Sequence, residues 1–141
     1  MGSIMMKTFN DLIIWQKVMK LVDMIYLLTR SFPKQEMYGL TTQMRWAASS
    51  LLVNIAEDNG RKRSRKDYQR FLSEANGSIM DLKTHILVAG LLNFLTKEKM
   101  EQLLTQLQSV GKLLSDMKNS PDSKDSNFLF PVSKSPSSRH I

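Results

Sequence analysis

Four stretches of this chain carry apolar residues at intervals of four and three. In the first, Ile14, Val18, Leu21, Ile25, Leu28 and Phe32 step in that rhythm, and in the second Leu40, Met44, Ala47, Leu51 and Ile55 share one side. The third carries Tyr68, Leu72, Ala75, Ile79, Leu82, Ile86 and Ala89, and the fourth Met100, Leu103, Leu107, Val110, Leu114 and Met117. At 3.6 residues per turn, this spacing lays a continuous stripe down one face of an α-helix. Short links join the four stretches. The expected fold is therefore all-α, an antiparallel up-down-up-down four-helix bundle over residues 8–118 in a single domain. A chain of 141 residues suffices for one core, and two domains would leave each half too small to bury one comfortably.

The punctuation between stretches supports these limits. The first helix should run from about Asn10 to Ser31 and stop at Phe32-Pro33, since proline lacks a backbone donor and pushes the preceding residue out of the helical region. The second should begin near Glu36 or Leu40 and end at Asp58-Asn59-Gly60, where Asn or Gly can adopt a left-handed cap. Ala47, Ala48, Ser49 and Ser50 at its centre permit close helix approach. Ser64-Arg65-Lys66-Asp67 resembles a capping box that opens the third helix, and Thr96 is placed to cap the fourth. Asn76-Gly77-Ser78 interrupts the third in composition but not in phase.

A second stripe on the first helix, Trp15, Met19, Val22 and Tyr26, makes its apolar face wider than one packing contact requires. Trp15, Met19 and Val22 are thus the expected surface of a homo-oligomer. Residues 1–7 are expected to be a disordered start in which Met1-Gly2-Ser3 looks like a cloning remnant ahead of a second start near Met5 or Met6. Residues 119–141, rich in Ser, Pro, Asp and Lys, have no helical period and are expected to form a disordered tail. Within it Phe128, Leu129 and Phe130 make a small apolar island that could dock on the bundle or on a partner.

The longest apolar runs, such as Leu12 to Trp15, fall far short of the roughly 20 residues of a membrane helix. There is no secretory signal pattern and no cysteine, so a disulfide framework and a thiolate metal site are excluded and a cytoplasmic location is expected.

Positive charge is concentrated in one place. Between residues 61 and 70 lie Arg61, Lys62, Arg63, Arg65, Lys66 and Arg70 against Asp67 alone, which accounts for most of the formal net charge of +7. Helix N-termini favour anions, and acidic rather than basic side chains complement the dipole, so this cluster suggests an external polyanion. Arg61, Lys62, Arg63, Arg65, Lys66 and Arg70 are the expected nucleic-acid-binding residues. A solvated corner kept for solubility is the plainer explanation. A helix-turn-helix fits poorly, because the third helix, about 28 residues by its repeat, is apolar along its length, whereas a recognition helix exposes a polar start. Tyr68 is the only candidate for base stacking near the cluster, and its phase assigns it to the core.

Gln43, Arg45, Asn54 and Glu57 suggest a structural polar network, with Glu57 pairing to Arg45 or Arg61 across a helix or subunit contact. One carboxylate lacks the second group that acid–base catalysis usually employs. His85, one turn after Asp81, lacks the paired Glu-x-x-His motifs of a di-iron bundle. No catalytic residue, metal or other cofactor is expected, and the chain reads as a non-enzyme.

The stretch from Gly39 to Arg61, with Gln43-Met-Arg45 and Asn54-Ile-Ala-Glu57-Asp-Asn-Gly60-Arg61, resembles the signature of the 23S rRNA intervening sequence (S23) proteins. Phe9 to Gln16, Ser31-Phe-Pro33, Tyr38-Gly-Leu40, Phe71-Leu72, Ala75 and Gly77-Ser78 extend the similarity over residues 9 to about 115. The resemblance implies a pentameric ring of four-helix bundles, RNA in preference to DNA, and a gene set in a ribosomal RNA insertion. A related branch comprises accessory proteins of diversity-generating retroelements, so a reverse transcriptase with its template RNA is the alternative partner implied. Four positions depart from the usual pattern: Trp46 stands where a second Arg is common, Leu52 where Pro is, Val53 for Ala, and Asp58 for Gly. Leu52 should leave the second helix straighter.

Overall fold

In the computed structural model, which describes residues 9–59 and 64–119, the chain forms four helices: α1 (Phe9–Thr29), α2 (Leu40–Asn59), α3 (Arg65–Leu91) and α4 (Lys97–Asn119). Residues 1–7, the tail beyond Asn119 and its Phe128–Phe130 island lie outside the described residues.

Each boundary has a local cause. At the end of α1 the ladder tightens to three-residue turns, with the amides of Arg30, Ser31 and Phe32 donating to the carbonyls of Leu27, Leu28 and Thr29, before Pro33 forbids continuation. A single 3-10 turn (Lys34–Glu36) follows. The Glu36 carboxylate then accepts the amide of Leu40 at 3.1 Å and so caps α2. Gly39 leaves room for this approach, since a Cβ there would lie 3.0 Å from Glu36 Oε1. With Leu52 in its interior, α2 runs unbroken for 20 residues.

At the start of α3, Ser64 Oγ accepts the Asp67 amide at 3.1 Å and the Asp67 carboxylate accepts the Ser64 amide, a reciprocal capping box. The helix ends at Asn93, which has φ 63°, the left-handed conformation that asparagine tolerates better than most residues. Thr96 Oγ1 accepts the Lys99 amide at 3.1 Å and caps α4.

The apolar stripes meet in one core. Ile14, Val18, Leu21 and Ile25 of α1, Met44, Leu51 and Ile55 of α2, Leu82 and Ile86 of α3, and Leu103, Leu107, Val110 and Leu114 of α4 are all buried. Leu28 and Ile79, on the same stripes, are half-buried and pack against that core. Each such side chain contributes roughly 1.5–3 kcal/mol by leaving water, which is what holds four otherwise marginal helices together.

Contacts run α1 to α2, α2 to α3, α3 to α4, and α4 back to α1. Tyr26 meets Ser49 while Thr29 meets Arg45, so α1 and α2 run in opposite directions. Leu87 and Gly90 of α3 lie beside Lys97 and Met100, whereas Ile79 and Met80 lie beside Leu104 to Lys112, so α3 and α4 do likewise. Gln106 Nε2 donates to the Lys17 carbonyl at 3.1 Å, tying α4 to α1. Phe32 and Phe94, with ring centroids 5.5 Å apart, bring the α1–α2 and α3–α4 connections to the same end. The α2–α3 connection, which carries the basic cluster, follows the opposite ends of these helices.

Candidate nucleic-acid interface

The corner is built where the last turns of α2 face the first turns of α3. Lys66 and Arg70 are exposed on α3, and Arg65, its first residue, is half-buried. Arg61, Lys62 and Arg63 lie outside the described residues. Asn54, Glu57 and Asp58 of α2, with Asp67, Arg70, Phe71 and Glu74 of α3, line a cleft of about 170 Å³. Asp67, Arg70, Phe71 and Glu74 meet there because residues three, four and seven apart share one helix face.

The described part of the corner is of mixed charge. Four carboxylates and one guanidinium line the cleft, with Lys66 exposed on the neighbouring turn of α3. Like charges near a phosphate weaken its binding, and Glu57, Asp58, Asp67 and Glu74 therefore restrict the direction from which a polyanion could approach. Tyr68 and Phe71 are buried, with ring centroids 6.0 Å apart, so neither offers an open face to a base.

The other polar residues separate into two places. Arg45 donates from Nε to Thr29 Oγ1 at 2.9 Å, and its guanidinium lies 4.8 Å from the centroid of the Tyr26 ring. Asn54 and Glu57 line the cleft instead. Arg45 precedes Glu57 by twelve residues on one helix, or about 18 Å of rise, so within a single chain the two do not meet. Gln43 is exposed at the far end of α2. Arg45 thus serves the α1–α2 contact.

On α1, Trp15 and Val22 are half-buried against the core and Met19 is 44% exposed. Two exposed side chains on α2, Trp46 at 71% and Val53 at 51%, extend this surface. Tyr26 Oη lies 3.4 Å from Ser49 Oγ, and Ser49 falls three residues after Trp46 and four before Val53, so exposed apolar side chains of α2 share the helix face that meets Tyr26. The α2 half was not recognised in the sequence, although its seven-residue spacing is the signal that could have found it.

The arrangement of helices and the α2 motif agree with a match between residues 10–116 and the family described as 23S rRNA-intervening sequence protein. The chain belongs to this family. For this 23S rRNA-intervening sequence family member, the matched region takes in all of α2 and α3 and ends within α4. No curated protein matches the sequence. No described helix is long and apolar enough to cross a membrane, and among the described residues no group of three His, Asp or Glu is placed to hold a metal ion.

Proposed function

We propose that the protein is a non-enzymatic homo-oligomer, a pentameric ring, that binds RNA through the α2–α3 corner. The observation that carries this reading is the pairing of a helix start with clustered cations. Lys66 and Arg70 are exposed just after a capped N-terminus, immediately following Arg61, Lys62 and Arg63 in the chain. Backbone amides and the helix dipole add to the side-chain charge there. Family membership supports RNA over DNA.

Association supplies the rest of the mechanism. The outer face of α1 and α2, with Trp15, Met19, Val22, Trp46 and Val53, gives a second copy apolar area to cover. Closing copies around an axis repeats the cationic corner once per subunit, and the summed field steers a polyanion to one rim. Binding then comes from phosphate neutralisation, with RNA shape deciding which molecules fit. A cytoplasmic location suits such a partner.

A labelled RNA stem-loop titrated at several salt concentrations tests the proposal. With five phosphates neutralised per site, log K should fall against log salt with a slope of about −4. Replacing Arg61, Lys62, Arg63 and Lys66 by Glu should abolish binding; Arg65 is left intact because it is half-buried. Affinity that ignores salt, or that survives the replacement, contradicts the proposal. Capture of a reverse transcriptase at moderate salt, with no RNA affinity of its own, would point instead to an adaptor.

A further inference from the structure

On the outer side of α3 and α4 lies an open groove of about 860 Å³ with a mainly apolar lining. Ile79 and Met80 form one wall, Leu104 and Leu107 the other, and Lys83 and Lys112 stand at its polar margin. Met80 is 58% exposed. Gly111 also borders the groove, and a Cβ there would meet nothing within 4 Å. Glycine lowers helix propensity, and here it leaves the groove without a side chain at that point.

We propose that the chain's own C-terminal segment fills this groove, with Phe128, Leu129 and Phe130 lying over Met80, Leu104 and Gly111. The segment has the reach. Leu104 lies fifteen residues before the end of α4 at Asn119, about 22 Å of helix, and the nine residues from Asn119 to Phe128 span up to about 30 Å when extended. Pro121 disfavours continuation of α4 beyond Asn119, so the tail need not follow the helix axis.

Chemistry matches as well as length. The island is the one cluster of aromatic and aliphatic side chains in residues 120–141, and the groove is an apolar surface within its tether. Asp122 and Asp125, with Lys124 between them, precede the island on the side that would pass Lys112, whose present partner is an exposed Asp116 at 3.4 Å. Tethering holds the segment at an effective concentration on the order of millimolar, so modest affinity suffices for occupancy. The docked tail covers α3 and α4 and leaves the α1–α2 face for association.

The native chain has no cysteine, so Ser126→Cys gives a single site for a nitroxide spin label on the full-length protein. With 13C-methyl methionine, the label should broaden the Met80 methyl signal while Met19 and Met37 stay sharp. Gly111→Leu, which fills the groove and improves helix propensity, should restore the Met80 signal. So should Phe128→Ser with Phe130→Ser, which leaves the bundle untouched. Mixing isotope-labelled chains with spin-labelled, unlabelled chains should leave Met80 sharp, since the contact is within one chain. A sharp Met80 signal in the singly labelled protein overturns the proposal. So does broadening that persists in both variants, or broadening that appears only in the mixture, which would place the segment on a second copy.

Discussion

Arg45 of α2 donates from Nε to the hydroxyl of Thr29 on α1, and that hydroxyl, 2.9 Å away and buried, in turn donates to the Ile25 carbonyl at 2.7 Å. Arg45 of the family-like Gln43-x-Arg45 segment therefore ties two helices together, away from the start of α3. Thr29→Val keeps the shape but removes the acceptor, leaving the guanidinium short of a partner. The expected loss is about 1–3 kcal/mol in denaturant unfolding. A double-mutant cycle with Arg45→Met should show coupling of at least about 0.5 kcal/mol, and additive effects would show that the bond is energetically idle.

Ser64 holds the first turn of α3, directly before the exposed cations. Its side chain accepts the Asp67 amide, so Ser64→Ala should destabilise the protein by about 1 kcal/mol. Hydrogen exchange should speed up at the first amides of α3 more than elsewhere. Unchanged exchange there would mean the cap is dispensable.

Gly77 sits exposed inside α3, where an added Cβ would meet nothing within 4 Å, and its φ is not positive. Gly77→Ala should stabilise the fold by roughly 0.5–1 kcal/mol, seen as a raised Tm, because alanine restricts the unfolded chain without cost to the folded one. A lowered Tm would show that this surface is covered in the assembled protein.

Carboxylates beside the cations should oppose RNA. Glu57→Gln and Glu74→Gln are each expected to tighten RNA binding by about 1.5- to 5-fold at low ionic strength, the scale of a surface charge interaction. The gain should shrink at high salt. If both replacements weaken binding, these side chains touch the RNA or hold the corner in shape.

The helices were legible in the sequence because burial follows periodicity. Ile14 through Ile25, Leu40 through Ile55 and Leu103 through Leu114 all fall inside on the expected phases. Both polar helix starts, Ser64 and Thr96, cap as their residue types suggest. What a one-dimensional pattern does not contain is which helix faces which. Phe71 is buried beside Tyr68 although it lies off the main stripe of α3, because α2 packs on that flank. Glu57 and Asp58 precede Asp67 and Glu74 by many residues, and only the folded α2–α3 pair sets them around one cleft. A charge count over ten consecutive residues does not register the α2 carboxylates that face the start of α3. The stop of α3 at Asn93 depended on a single left-handed residue, a signal that the periodicity of α3 and α4 on either side conceals.

Native mass spectrometry of the full-length protein, recorded with and without an RNA stem-loop at low ionic strength, separates an RNA-binding ring from a free monomer. A closed homo-oligomer, a pentamer, should gain RNA mass and lose it as ammonium acetate concentration rises. A stable monomer whose spectrum is unchanged by RNA would contradict the RNA-binding ring.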